Sequence, residues 1–216
     1  MLELYGHPFS SYTWKAQIAL HALDADYTFR MVDPDHTDNA AFVQQAHPAG
    51  KFPVLRDGDT TVIEATAIIE YLAATRDSGA MLIPRDPRAA VTVRMLDRVF
   101  DNYVMGHMQH SVNAYLVDPE NPNRDALDIA QTGLRRVYRW LEDWLEHHRF
   151  PAHVSLVSCA AAPSLFYADW VERIPENCPH LARLRAELLA LPPVARCVDA
   201  ARPYRRFFPL GAPDRD

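Results

Sequence analysis

Every strand signal in this 216-residue chain falls in its first third, and everything after Asp86-Pro87 reads as helix. That asymmetry restricts the chain to folds in which a small sheet-containing unit precedes an all-helical one. Residues 2–5 are apolar, a helical stretch follows with Trp14, Ile18 and His21-Ala22 at helical spacing, and residues 27–32 read as a second strand. The polar run Asp33-Pro34-Asp35-His36 leads into a helical segment at 39–45. Pro53-Val54-Leu55 and Thr60-Thr61-Val62-Ile63 then flank the turn signal Asp57-Gly58-Asp59, a hairpin. Residues 64–74 place Ile68, Ile69 and Leu72 on one helical face.

The order β-α-β-α-β-β-α joins its first two strands by a right-handed crossover in parallel, and a hairpin adds the last two. This is a thioredoxin-like α/β arrangement, expected over residues 1–76, with a linker at 77–87 and an all-α domain at 88–216. Pro53 removes a ladder donor and belongs at an edge, a strand start or a bulge, and its peptide bond to Phe52 is a candidate for the cis form. In the second part, three long amphipathic segments are expected at 88–117, 124–148 and 155–173, with shorter helices at 181–191 and 194–201 separated by Pro192-Pro193.

Composition narrows the function. A net charge of −6 leaves no electropositive footprint for nucleic acid or an anionic membrane. No apolar run approaches the roughly 18 residues of a membrane helix, and the first residues lack a signal-peptide pattern, so a cytoplasmic location is expected. Cys159, Cys178 and Cys197 are too widely spaced for a metal knuckle or a Cys-x-x-Cys pair, and buried, inert thiols are expected.

Three short stretches carry residues suited to chemistry. Ser10-Ser11 lies between the first strand and first helix, where unpaired N–H groups favour a bound anion such as a thiolate. Either serine equally serves as an N-cap. No cysteine stands in that loop, which disfavours thiol-disulfide exchange. Lys51-Phe52-Pro53-Val54 opens a strand whose free edge groups would pair with an extended peptide-like ligand, or is simply an ordinary strand start. Glu64 places a carboxylate at a helix start, where it suits the macrodipole or a ligand's α-amino group, while Thr66 would cap instead.

These stretches, Leu4-Tyr5-Gly6-His7-Pro8-Phe9-Ser10-Ser11-Tyr12-Thr13-Trp14, His47-Pro48-Ala49-Gly50-Lys51-Phe52-Pro53-Val54-Leu55 and Glu64-Ala65-Thr66-Ala67-Ile68-Ile69-Glu70-Tyr71-Leu72, resemble the cytosolic glutathione transferases. The first is similar to the serine-type members, zeta-like and bacterial. The resemblance implies a homodimer that binds glutathione as co-substrate, with Ser10 activating its thiol, Ser11 next in line and Tyr5 a remoter candidate. It implies that Val54, after Phe52 and Pro53, pairs its backbone with the cysteinyl part, that Glu64 and Ala65 hold the γ-glutamyl end, and that Lys51 and His36 meet the glycine carboxylate.

Two positions depart from the family pattern. Ala65 stands where the family has serine, and Ser158 stands where the capping box that begins at Ser155 has aspartate. For the electrophile, the resemblance implies a pocket between the domains, with Phe9, Tyr12, Tyr103, His107, His110 and Tyr115 as lining. His107 and His110 lack further ligands, so no metal is expected. Asp97 and Asp101, four apart, would form a solvated helix face or reach across a dimer to the glutathione amino group. Tyr138, Trp140, Trp144, Phe166, Tyr167 and Trp170 are expected as core aromatics. The resulting expectation is a transferase acting on a small apolar electrophile by conjugation, isomerisation or dehalogenation, with a non-catalytic glutathione- or hydrophobic-ligand-binding protein of the same fold as the alternative.

Overall fold

The computed structural model describes residues 1–216, the side chain of Ala80 excepted. Its sheet has four strands, β1 (Leu2–Gly6), β2 (Tyr27–Met31), β3 (Val54–Asp57) and β4 (Thr60–Ile63), in the order β2-β1-β3-β4. β1 runs parallel to β2, with Leu4 opposite Phe29, and antiparallel to β3, with Leu4 opposite Leu55; β3 pairs antiparallel with β4. Gly58 takes a φ of 59° in the hairpin turn, a conformation that suits a residue without Cβ.

Alternation along the strands divides the core. Leu2, Leu4 and Leu55 join Trp14 and Ile18 of α1 (Ser11–Ala22) and Ile68, Ile69 and Leu72 of α3 (Ala65–Thr75) on one face. Tyr5 and Val54 point the other way and meet Phe42 and Val43 of α2 (Thr37–Ala46), the Tyr5 and Phe42 rings lying 4.4 Å apart. Tyr5 is thereby a packing residue. Pro53 stands immediately before β3, the strand start among the alternatives expected for it, while β3 itself is an interior strand with Val54 in register with Tyr5 on one side and Ile63 on the other.

The helical part comprises α4 (Pro87–Val99), a π-helical stretch Phe100–Met105, α5 (Gly106–Val117), α6 (Arg124–His147), α7 (Leu156–Val171), α8 (Pro179–Leu189) and α9 (Pro192–Ala201), followed by a 3-10 turn Arg202–Phe207. Local chemistry explains the starts. Asp86 accepts the Ala89 N–H at 2.8 Å ahead of Pro87, Asn123 accepts the Ala126 N–H at 3.1 Å, and prolines occupy the first positions of α8 and α9. The expected linker is no loose tether: Leu82 is fully buried and its carbonyl accepts the Leu156 N–H at 2.8 Å.

One expectation about the helices fails. α7 is not amphipathic, because every residue from Leu156 to Trp170 is buried, so it forms the centre of the molecule with no solvated face. Pro163 sits inside it and supplies no N–H to the ladder, while the Ser164 hydroxyl donates to the Ala160 carbonyl at 2.6 Å. Where aspartate was replaced, Ser158 Oγ accepts the Ser155 N–H at 3.4 Å. Trp14 of α1 meets Phe166 of α7 with ring centroids 4.9 Å apart, which locks the two domains together. Tyr138, Phe166, Tyr167 and Trp170 are core residues as expected, whereas Trp140 is exposed and Trp144 half-buried, stacked on His148. Among the described residues no helix is long and apolar enough to cross a membrane.

Candidate functional site

The loop from β1 to α1 is stitched in place by its own residues. The Trp14 indole donates to the Pro8 carbonyl at 2.6 Å, the Phe9 N–H donates to His7 Nδ1 at 3.1 Å, and the Tyr167 hydroxyl of α7 donates to the Phe9 carbonyl at 2.9 Å. Gly6 is required here, since a Cβ would lie 2.6 Å from Thr13 Oγ1. Ser10 is the N-cap of α1, and its Oγ accepts the Thr13 N–H at 3.2 Å. Capping and thiol activation are therefore compatible, because accepting that N–H uses a lone pair and leaves the hydroxyl proton free to donate. Ser11 is the first helical residue and is buried.

Three cavities meet around this loop. A polar cleft of about 220 Å³ is lined by Tyr12, His47, Lys51, Glu64, Ala65 and Asp101, among others. An apolar cavity of about 330 Å³ takes Phe9, Ser10, Ser11 and Tyr12 from the first domain. A wider groove of about 780 Å³ holds His7, Ser10 and Asp33 together with Tyr204, Arg206 and Phe207 from the chain's end. Phe52 lines all three, and its peptide bond to Pro53 is cis. Ser10 is shared by the apolar cavity and the wider groove, while Ser11 faces only the former.

The polar cleft has an unusual floor. Glu64, which turns β4 into α3 within one residue, adopts a φ of 68°, a strained conformation for a residue with a side chain. Its exposed carboxylate accepts from His47 Nε2 at 3.2 Å. His47 Nδ1 accepts the Ala49 N–H at 3.0 Å, which places the ring proton on Nε2. Ala65 opens α3, and its N–H is one of the unpaired donors of a helix start.

Beneath the cleft lies a cluster of buried charges. Lys15, 1% exposed, reaches Asp97 at 2.5 Å and Asp101 at 2.6 Å. Arg98 also pairs with Asp97 at 2.5 Å and with Asp101 at 2.7 Å. Thr66 does not cap α3; its hydroxyl accepts from Lys15 at 2.8 Å and donates to Asp97 at 3.1 Å. Asp97 is fully buried, so the solvated helix face expected for it does not exist. Burial raises the Asp101 carboxyl above its usual range, reinforced by Asp97 and opposed by Lys15. Burial likewise pushes the Tyr12 phenol up to about 12, and the Asp101 charge adds to it, so this hydroxyl keeps its proton at neutral pH. The cluster binds α1, α3 and α4 into one unit.

Several expected site residues lie elsewhere. His36 is tied to Asp33 through a 2.6 Å contact from Nδ1, a bond that holds the Asp33 carboxyl below its usual range, and it lines none of the three cavities. Lys51 is in the polar cleft, on the same side as Glu64. Of the six residues expected around the electrophile, Phe9 and Tyr12 line the apolar cavity. Tyr103 is exposed and Tyr115 half-buried, and neither lines it. His107 packs against α6, where a Cβ on Gly133 would fall 2.4 Å from its ring, and His110 lines a separate groove with Asn113 and Asn123.

The wall is instead built by Met108, Gln109, Val112 and Leu116 of α5, Tyr167 of α7, and Phe207, Phe208 and Pro209 beyond α9. The π-helical stretch Phe100–Met105 packs more residues into each turn, so a face followed along α4 does not continue in phase along α5. Among the described residues no three His, Cys, Asp or Glu side chains gather as a metal-holding group. The three thiols are free and buried, and none lines these cavities; burial pushes Cys159 up to about 12.

Comparison with known proteins agrees with this architecture. Residues 4–79 match the family model described as "Glutathione S-transferase, N-terminal domain". The chain is 25% identical to maleylacetoacetate isomerase of Mus musculus over 191 residues, 87% of this chain and 88% of that protein. It is also 25% identical to the probable maleylacetoacetate isomerase of Vibrio cholerae over 209 residues, 94% of this chain and 97% of that one. Glutathione transferase F7 from Populus trichocarpa superposes with a TM-score of 0.79 at 20% identity, covering 93% of this chain and 99% of that structure, a likeness of fold. The sheet domain thus matches a glutathione transferase N-terminal model, the chain is similar along most of its length to maleylacetoacetate isomerases, and it shares the fold of solved glutathione transferases.

Proposed function

We propose that the protein is a glutathione transferase in which Ser10 activates the glutathione thiol for attack on a small apolar electrophile. The observation that carries this reading is the position of Ser10, at a helix start, on the wall shared by the apolar cavity and the wider groove and two residues before Tyr12, which also lines the polar cleft. The donor set suits the tripeptide. Glu64 offers a carboxylate to an α-amino group, the free N–H of Ala65 and the ammonium of Lys51 suit a carboxylate, and Phe52-Pro53-Val54 lies alongside for the cysteinyl part.

The chemistry follows from these groups. The thiol gives up its proton to solvent water, and the Ser10 hydroxyl donates to the resulting thiolate while the N-terminus of α1 stabilises its charge. The sulfur then attacks an electrophilic carbon held among Met108, Val112 and Tyr167, forming an S–C bond. In conjugation the attacked carbon expels a leaving group or takes up a proton and the S–C bond stays; in isomerisation the adduct rotates and the S–C bond breaks to return the thiolate, and in dehalogenation the halide leaves and water then displaces glutathione from that carbon. Because the whole-length relatives are named maleylacetoacetate isomerases, glutathione-dependent isomerisation is assayed beside conjugation.

Ultraviolet titration of thiolate absorbance in the complex tests the reading. The bound thiol is expected to ionise at least one unit below the free value of about 8.5. Ser10→Ala should return it towards that value and lower kcat by about 10²-fold or more, since the loss of one preorganised donor to a developing anion has that scale. Glutathione bound with an unshifted thiol would instead favour the non-catalytic binding protein, for which the missing hydroxyl at Ala65 is the supporting feature.

A further inference from the structure

We propose that the wider groove beside Ser10 is a carboxylate-binding subsite anchored by Arg206, with the ring N–H of His7 as a second donor. Four arginines lie in the segment that follows α9 and carry different loads. Arg202 pairs with Asp199 and Asp216, Arg205 with Asp216, and Arg215 with Asp169. Among the described residues Arg206 has no ion pair, and its guanidinium lies over the Phe207 ring, 4.9 Å from the centroid. The neighbouring pairs fasten the turn, and the turn holds Arg206 on the groove wall that Ser10 also lines.

His7 supports the assignment. Its Nδ1 accepts the Phe9 N–H at 3.1 Å, so the ring proton is on Nε2, and the ring meets Tyr204 edge-on at 4.8 Å. Two carboxylates share the groove. Asp33 is already engaged by His36 Nδ1 at 2.6 Å and by the Asp35 N–H at 3.0 Å, and Asp35 is exposed to solvent. Lys51 and His36, the cations expected for a carboxylate, are respectively in the polar cleft and outside the three cavities. Among the described residues Arg206 is the only arginine or lysine lining this groove, and Phe207 borders both it and the apolar cavity. A ligand with its apolar body against Val112 and Phe208 would therefore pass Ser10 and bring a carboxylate to Arg206.

Two ligands present that chemistry, a carboxylate on the electrophile and the glycine end of glutathione. The identity of the ligand rests on the transferase reading, but binding is measurable without turnover. Wild type, Arg206→Met and Arg206→Lys are titrated calorimetrically with 4-phenylbutyrate against 4-phenylbutanol, and with glutathione against its glycine ethyl ester. Wild type should prefer one acid over its neutral partner by about tenfold, the scale of a charge-assisted bond. In Arg206→Met that preference should collapse, and Arg206→Lys should restore part of it, with thermal melts confirming the fold. Loss of preference in the first pair assigns the subsite to the electrophile, and loss in the second assigns it to glycine. No preference in wild type, or preferences that survive in Arg206→Met, overturns the proposal. A failed transferase reading shows itself separately, as an unshifted thiol in the Ser10 titration.

Discussion

The polar cleft and the apolar cavity touch along Tyr12 and Phe52, yet they are built in opposite ways. Half of the cleft's lining comes from two short stretches joined by one hairpin, Lys51 to Pro53 and Glu64-Ala65, which face Arg98, Asp101 and Asn102 and rest on the buried pairs of Lys15 with Asp97 and Asp101. The cavity draws on segments far apart in sequence, with Phe9 meeting Val112, Tyr167 and Phe208. Directional polar groups require defined partners at defined places, whereas an apolar wall requires only shape, which any side chain of suitable volume supplies. The polar half is thus tied to particular residues and the apolar half to the packing of whole helices.

That contrast is open to direct attack. Lys15→Met strikes the polar half hardest, because it leaves Asp97 and Asp101 buried with Arg98 as their remaining cation. Breaking a buried pair from one side costs about 3–5 kcal/mol, so chemical denaturation should show a loss of that order, with a raised KM for glutathione in whatever folds. A double variant Lys15→Met/Asp97→Leu should recover part of the loss; a loss equal to the sum of the two single losses would mean that the cluster is not a coupled unit.

Phe207→Ala tests the other half. Phe207 is largely exposed but lines the cavity, so stability should change little, while KM for an apolar electrophile should rise several-fold as contact area is lost. A comparable rise in KM for glutathione would erase the proposed division between the halves.

The smallest effect concerns pH. Burial lowers the pKa of His7, His21 and His107 below 6.5 in the folded protein. Each is therefore protonated more readily when unfolded, so its contribution to stability is complete above 6.5 and is lost as pH falls towards the folded value. Thermal melts between pH 7.5 and 5.5 should show a modest decline, and His107→Gln should flatten it; an unchanged slope would remove His107 from the account.

Much of the fold was legible because it depends on short-range chemistry. The apolar strand runs, the Asp57-Gly58-Asp59 turn and the Pro192-Pro193 break between the last helices each act within a few residues of themselves. α7 was misread as amphipathic because its periodicity is weak where all sides are buried, and its 15 consecutive buried residues could be recognised only once helices surrounded it. The buried charges left a faint trace, a lysine within the apolar run Trp14-Lys15-Ala16 and two aspartates four apart, but nothing in a linear pattern joins position 15 to position 97.

The amino-acid order alone determined the succession of strands and helices, the serine at the start of α1 and the carboxylate at the turn into α3, since hydrophobic period and capping are read within one or two turns of chain. Only the tertiary structure decided that β3 is interior, which face of α5 forms the wall, and that Phe207 and Arg206 return to Ser10 from nearly 200 residues away. Those outcomes depend on how whole elements pack, and a π-helical stretch or a single ion pair in the final turn shifts a face or a side chain without leaving a local signal.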